Sequence, residues 1–167
     1  MNDKANPQAS ALTSIPFQRE PNLRQRILVV EDDAAIRKLN TEVLTYSGYQ
    51  VDTAEDGQAA WDALQLYNYD LVVTDNNMPN MTGVELIKKL QDARKFLPVI
   101  MATGTVPDEE FARYPCLQPA AMLLKPYPLN ELLHAVKEVL RATNDALQEN
   151  APPPNRPVEP LANQFRL

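Results

Sequence analysis

Five polar residues stand at the ends of four apolar runs, and together they have the makings of a phosphoryl-binding site. The runs are Ile27-Leu28-Val29-Val30, Leu71-Val72-Val73-Thr74, Pro98-Val99-Ile100-Met101-Ala102 and Ala121-Met122-Leu123-Leu124. They stop at Glu31 and Asp32, at Asp75, at Thr103 and at Lys125 respectively. Three carboxylates gathered at one place repel. Two unit charges about 4 Å apart cost roughly 1 kcal/mol in water and about 4 at an effective dielectric of 20. Either one carboxyl takes a proton or a cation sits among them. Oxygen donors without His or Cys suit a hard ion such as Mg²⁺, which keeps several of its waters. Lys125 adds a fixed positive charge, and Thr103 a hydrogen-bond donor. A Mg²⁺ and a lysine flanking a carboxylate form a receptor for a trianionic group. Asp75, in the middle, is then placed as a nucleophile toward phosphorus, forming an acyl phosphate.

Such convergence requires the runs to be neighbouring parallel strands. Short apolar runs separated by helix-length stretches read as a parallel sheet buried on both faces. Ligands of open α/β sheets bind beyond the carboxyl ends of the strands. The first strand is expected at Arg26–Val30, followed by a helix N-capped by Asp33 with Ile36, Leu39, Val43 and Leu44 on one face. Gly48 is placed to end that helix in the left-handed conformation. A short strand over 50–53 and a turn at Glu55-Asp56-Gly57 lead to a helix over 58–67 carrying Ala60, Trp61 and Leu64. A strand over 70–74 and a helix over 83–94 with Val84, Ile87 and Leu90 come next. After the fourth strand, residues 108–114 have room for about two helical turns before Pro115 and Pro119 interrupt. Leu129, Leu132, Leu133, Val136, Val139 and Leu140 mark an amphipathic last helix. Five strands alternating with five helices predict a three-layer, doubly wound α/β sandwich.

The 167 residues suit one domain with appendages. A net charge of −6 with no basic block argues against direct nucleic-acid binding. The lone cysteine, Cys116, allows no internal disulfide and no metal-ligand spacing; it reads as an inert thiol. No apolar run approaches the roughly 18 residues of a membrane span, and the first residues lack the apolar core of a signal peptide. The expected location is the cytoplasm. Eight prolines (Pro7, Pro16, Pro21, Pro152, Pro153, Pro154, Pro157 and Pro160) lie in the flanks. The expected organisation is a flexible tail over 1–24, a domain over 25–146 and a Pro-rich tail over 147–167. His134 reads as a solvated residue of the last helix and Trp61 as partly buried core. Leu161, Phe165 and Leu167 are weak candidates for a docking peptide.

The four anchors, in this order and spacing, resemble the response-regulator receiver domain of two-component signalling, the module of the chemotaxis regulator. The resemblance covers residues 25–142. It is carried above all by Asp75-Asn76-Asn77-Met78-Pro79-Asn80-Met81-Thr82-Gly83 and by Lys125-Pro126-Tyr127. It implies a flavodoxin-like sheet of order 2-1-3-4-5, which the family's fold is known to have. It further implies that Asp75 is the phosphoacceptor, that Asp32 binds Mg²⁺ directly with Glu31 acting through water, and that the Asn77 carbonyl is a further ligand. Thr103 and Lys125 would contact the phosphoryl group, while Asn77 and Thr105 would tune its hydrolysis. The implied donor is a sensor histidine kinase or a histidine phosphotransfer protein, and the implied output is altered binding to an unknown downstream protein target, with a homodimer on activation possible. With no further domain expected in the tails, the chain reads as a stand-alone receiver, a phosphoacceptor rather than an enzyme acting on other substrates.

Two departures concern the readout. Met122 stands where the family usually has an aromatic switch residue, and Pro115 and Pro119 interrupt the usual fourth helix. Two other readings use the same residues. A pseudo-receiver would bind partners without phosphorylation. An aspartyl-phosphate phosphatase would need a general acid two residues after the nucleophile, where Asn77 cannot serve.

Overall fold

A computed structural model describes residues 25–149. The apolar runs form five strands: β1 (Arg26–Val30), β2 (Gln50–Ala54), β3 (Leu71–Asp75), β4 (Val99–Thr103) and β5 (Ala121–Leu124). All pairings are parallel and the order is β2-β1-β3-β4-β5, as the resemblance implied. The helices are α1 (Ala34–Tyr46), α2 (Gly57–Leu66), α3 (Gly83–Asp92), α4 (Asp108–Arg113) and α5 (Leu129–Glu149). A single 3-10 turn, Pro115–Leu117, comes after α4. The flanking segments 1–24 and 150–167, including Leu161, Phe165 and Leu167, lie outside the described residues.

Strand side chains alternate between the two faces of a sheet, and the core divides accordingly. Leu28, Val30, Val72, Val99 and Met101 pack under α2 and α3 with Ala60, Leu64, Leu86, Ile87, Leu90, Phe111 and Leu117. Ile27, Val29, Leu71, Val73, Ile100 and Ala102 pack under α1 and α5 with Leu44, Leu132, Val136, Val139 and Leu140. With both faces covered, β3 and β4 are buried along their whole length. The sheet is therefore a fixed platform for the loops at the carboxyl ends of its strands.

Local signals set the helix ends. The Asp33 side chain accepts the Ala35 and Ile36 amides and N-caps α1. Gly48, at φ +93°, turns the chain out of α1 in the left-handed region that glycine tolerates. Thr82 and Glu85 form a reciprocal capping box on α3. After α4, Pro115 ends the helical run and opens the 3-10 turn, which buries Leu117. α5 continues to Glu149, past residue 146.

One expectation for α1 is corrected. Leu39 does not face the core; it is 48 % exposed, and the buried residues of the helix are Asn40 and Leu44. Leu39 lines instead an open cleft of about 370 Å³ with Pro126, Tyr127 and Leu129. Trp61 is partly buried against the α2–α3 side of the core, with Lys89 Nζ 4.8 Å from its ring centroid. His134 and Cys116 are exposed.

Candidate functional site

β1 and β3 are adjacent, and their registers bring Val30 beside Thr74. The next residues along each chain, Glu31 with Asp32 and Asp75, therefore leave the sheet side by side. One oxygen from each of the three carboxylates lies within 4.8 Å of the others. Glu31 and Asp75 are buried, whereas Asp32 is exposed.

On the other side β4 places Ala102 beside Asp75, and β5 places Leu124 beside Thr103. The Lys125 amide donates to the Thr103 carbonyl at 2.9 Å. From there the Lys125 ammonium reaches Glu31 Oε2 at 2.7 Å and Asp75 Oδ2 at 2.8 Å. The other Asp75 oxygen accepts the Asn76 and Asn77 amides at 2.6 and 3.2 Å. Asp75 is thus held in one orientation by two backbone donors and one cation.

Burial pushes the Glu31 carboxyl above its ordinary range, and the hydrogen bond and charge of Lys125 only partly counter it. Burial also acts to lower the Lys125 ammonium, but its hydrogen bonds to Asp75 and Glu31 outweigh this and raise it. The lysine is firmly cationic. Three carboxylates against one ammonium still leave an excess of negative charge, and an all-oxygen donor set of this kind matches a hard divalent cation.

The turn after β3 is packed tightly. A Cβ at Gly83 would collide with the Asp75 carbonyl and lie 3.1 Å from Asn76 Cα. Glycine there lets α3 start directly behind Asp75. The Asn76 side chain accepts the Val84 amide at 3.1 Å and fixes the turn to α3.

Thr103 is fully buried, and its hydroxyl is turned toward the β4–α4 loop, donating to the Thr105 carbonyl at 2.9 Å. The hydroxyl makes no hydrogen bond to Asp75 or Lys125 among the described residues. Thr105 and Asn77 are exposed at the rim. Met122, in β5, is partly buried against the α2–α3 side of the core.

Three contacts were not anticipated from the sequence. The Arg37 guanidinium donates to the Glu31 and Asp32 carbonyls at 2.5 and 3.2 Å, holding the acidic loop from one turn into α1. The buried Asn40 amide donates to Tyr127 Oη at 3.1 Å and ties α1 to the loop carrying Lys125. Asp56 joins the β2–α2 loop to Asn80, at 2.5 Å. The available signal was a polar residue, Asn40, within an apolar helical stripe. Arg37 and Asp56 carried none, since both read as ordinary surface or turn residues.

Comparison with known proteins agrees with this geometry. The chain is 36% identical over 130 residues to the response regulator MprA of Mycolicibacterium vanbaalenii, covering 75% of this chain and 55% of that protein. The chain thus spans about half the length of that relative. A CheY-like response regulator receiver domain protein from Methanospirillum hungatei superposes with a TM-score of 0.68 at 29% identity, over 73% of this chain and 98% of the other. TrrA of Thermotoga maritima, solved in complex with Mg²⁺–BeF, superposes at 0.61 with 32% identity, over 69% and 98%. Residues 27–137 match the family model of the response regulator receiver domain, so this chain, with its acidic cluster and lysine at the strand ends, belongs to the receiver-domain family of two-component signalling.

Proposed function

We propose that Asp75 accepts a phosphoryl group in a Mg²⁺-dependent reaction, and that the phosphorylated form changes its binding to a partner protein. The observation that carries this reading is the state of Asp75. Its carboxylate is buried, oriented by two amides and by Lys125, and lies within 4.8 Å of two further carboxylates.

The donor is a phosphohistidine on a sensor histidine kinase or a histidine phosphotransfer protein. An Asp75 oxygen attacks phosphorus, the P–N bond breaks, and the imidazole leaves as its nitrogen takes up a proton. The product is an acyl phosphate, which water later hydrolyses. Lys125 neutralises charge on the phosphoryl oxygens throughout. Asp32, Asp75 and the Asn77 carbonyl would hold the Mg²⁺, with Glu31 acting through water. The ion supplies charge neutralisation and a template for in-line transfer. The TrrA complex with Mg²⁺–BeF supports that assignment by relationship.

Thr103 supplies the switch. Its hydroxyl can exchange the Thr105 carbonyl for a phosphoryl oxygen, an interaction that only the phosphorylated form offers. Such differential contacts shift a two-state equilibrium without a new fold. Met122, flexible and apolar, is the β5 partner of Met101 and takes the place of the usual switch residue, and Asn77 and Thr105 tune hydrolysis. The domain spans residues 25–149, its last helix running past the expected boundary at 146, and acts in the cytoplasm.

The test is incubation with acetyl phosphate, with and without Mg²⁺, read by intact mass. A single phosphoryl adduct that requires Mg²⁺ and is absent in Asp75→Asn is expected. A folded wild type that takes up no phosphoryl group points instead to constitutive binding.

A further inference from the structure

Asp56 lies outside the acidic cluster, yet it is a buried carboxylate. One of its oxygens N-caps α2 through the Ala59 amide at 2.7 Å. The other accepts the Asn80 side-chain amide at 2.5 Å. The Ala59 amide and then the Asn80 amide hold its carboxyl below the ordinary range, so it stays charged near neutral pH. Its neighbour Gly57 donates its amide to the Met81 carbonyl at 3.2 Å. A Cβ on Gly57 would stand 2.6 Å from that same carbonyl, so the two loops meet backbone to backbone.

The second loop runs from Asn76 to Gly83 and carries Asn77. At its near end it is fixed by Asn76, whose carbonyl accepts the Met78 and Gly83 amides and whose side chain accepts the Val84 amide. At its far end the chain turns through Asn80 at φ +61°. The Asn77 side chain is exposed and accepts a long hydrogen bond, 3.4 Å, from the adjacent Asn76 side chain. The Asn77 amide is held by Asp75 Oδ1 at 3.2 Å, and its carbonyl is set by that bond together with the two anchors of the loop.

We propose that Asp56 and Asn80 are a positioning pair that sets the Asn77 carbonyl for the metal by pinning the β3–α3 loop to the start of α2. This rests on the reading of Asn77 as a metal ligand. Neither residue of the pair touches the reacting atoms.

Charge and geometry make opposite predictions for Asn80→Asp. The new carboxylate adds negative charge near the site and, by attraction alone, would tighten Mg²⁺ binding. It also faces Asp56 at hydrogen-bond distance and opens the tie. Outer-shell partners of metal ligands typically alter affinity by about tenfold or more. Asn80→Asp is therefore expected to weaken Mg²⁺ binding about tenfold despite its charge. The exchange Asp56→Asn with Asn80→Asp restores the bond with donor and acceptor reversed, keeps a cap for α2, and is expected to return the affinity to within about twofold. Gly57→Ala, which changes no charge, presses on the Met81 carbonyl and is expected to weaken binding as well.

Titration with Mg²⁺ alone, monitored by amide NMR of the full chain, reads all four proteins, with thermal melts in EDTA to confirm folding. If Asn80→Asp does not fold, Gly57→Ala and the exchange decide. Wild-type binding with unchanged or tighter binding in Asn80→Asp or Gly57→Ala overturns the positioning pair alone. So does a stable exchange variant that remains weak. A wild type that shows no response to Mg²⁺ overturns the reading of the site and the pair with it.

Discussion

Replacing Lys125 by Met removes the one ammonium that, among the described residues, pairs with the buried carboxylates, while keeping most of the side-chain volume. Lys125 Nζ lies 2.7 and 2.8 Å from Glu31 and Asp75, and its side chain is 20% exposed. Without it, carboxylates whose oxygens lie within 4.8 Å face each other with no cation between them. At an effective dielectric of 20 one such pair repels by about 3 kcal/mol. Removing one partner of a buried ion pair typically costs about 3–5 kcal/mol. The partial exposure of Lys125 favours the lower end, about 3 kcal/mol, or about 10 °C in Tm for a domain of this size. Mg²⁺ should restore much of that loss, because two positive charges then enter the same cluster. Lys125→Met is therefore stabilised more by Mg²⁺ than the wild type is. Urea unfolding in EDTA and in saturating Mg²⁺ measures both terms. A loss below about 1 kcal/mol in EDTA, or one of equal size in both conditions, would refute the view that Lys125 balances this cluster.

The α3 start and the turn before it give three further tests. Gly83→Ala should cost about 1–3 kcal/mol in urea unfolding, because the new methyl meets the Asp75 carbonyl rather than a yielding side chain. Thr82→Ala should cost about 1 kcal/mol through loss of the cap. In the same box the Thr82 amide, then its hydroxyl, hold the Glu85 carboxyl below its ordinary 4.5. Its folded value being depressed, Glu85 contributes stability that is present above the unfolded value and lost as pH falls through the folded one. Glu85→Gln should therefore be less stable than wild type at pH 7 and converge with it in acid, as read by thermal melts across pH.

The parts of the molecule legible in the sequence are those governed by local signals. Strand-length apolar runs ending at Glu31, Asp75, Thr103 and Lys125 marked β1, β3, β4 and β5 and the place of the site, since parallel strands buried on both faces read as unbroken apolar runs. Asp33 and Gly48 announced the ends of α1 by their own chemistry. Leu39 misled because helical period alone does not say where the covered stripe ends; the β5–α5 loop leaves an open cleft over it. Asn40, Arg37 and Asp56 act across 87, 6 and 24 residues of sequence. Which partners these side chains take depends on the tertiary fold, and of the three only Asn40, a polar residue within an apolar helical stripe, leaves a local sign. Thr103 was placed correctly at its strand end, but the direction of its hydroxyl, toward Thr105, depends on the backbone of the next loop.

The central claim is that Asp75 itself carries the phosphoryl group. Borohydride reduction of the protein treated with acetyl phosphate and Mg²⁺ converts an aspartyl phosphate to homoserine, and peptide mass mapping locates the altered residue. Homoserine at position 75, absent when Mg²⁺ is withheld, is the predicted result. Reduction at another aspartate, or at none while the intact mass shows an adduct, would contradict it.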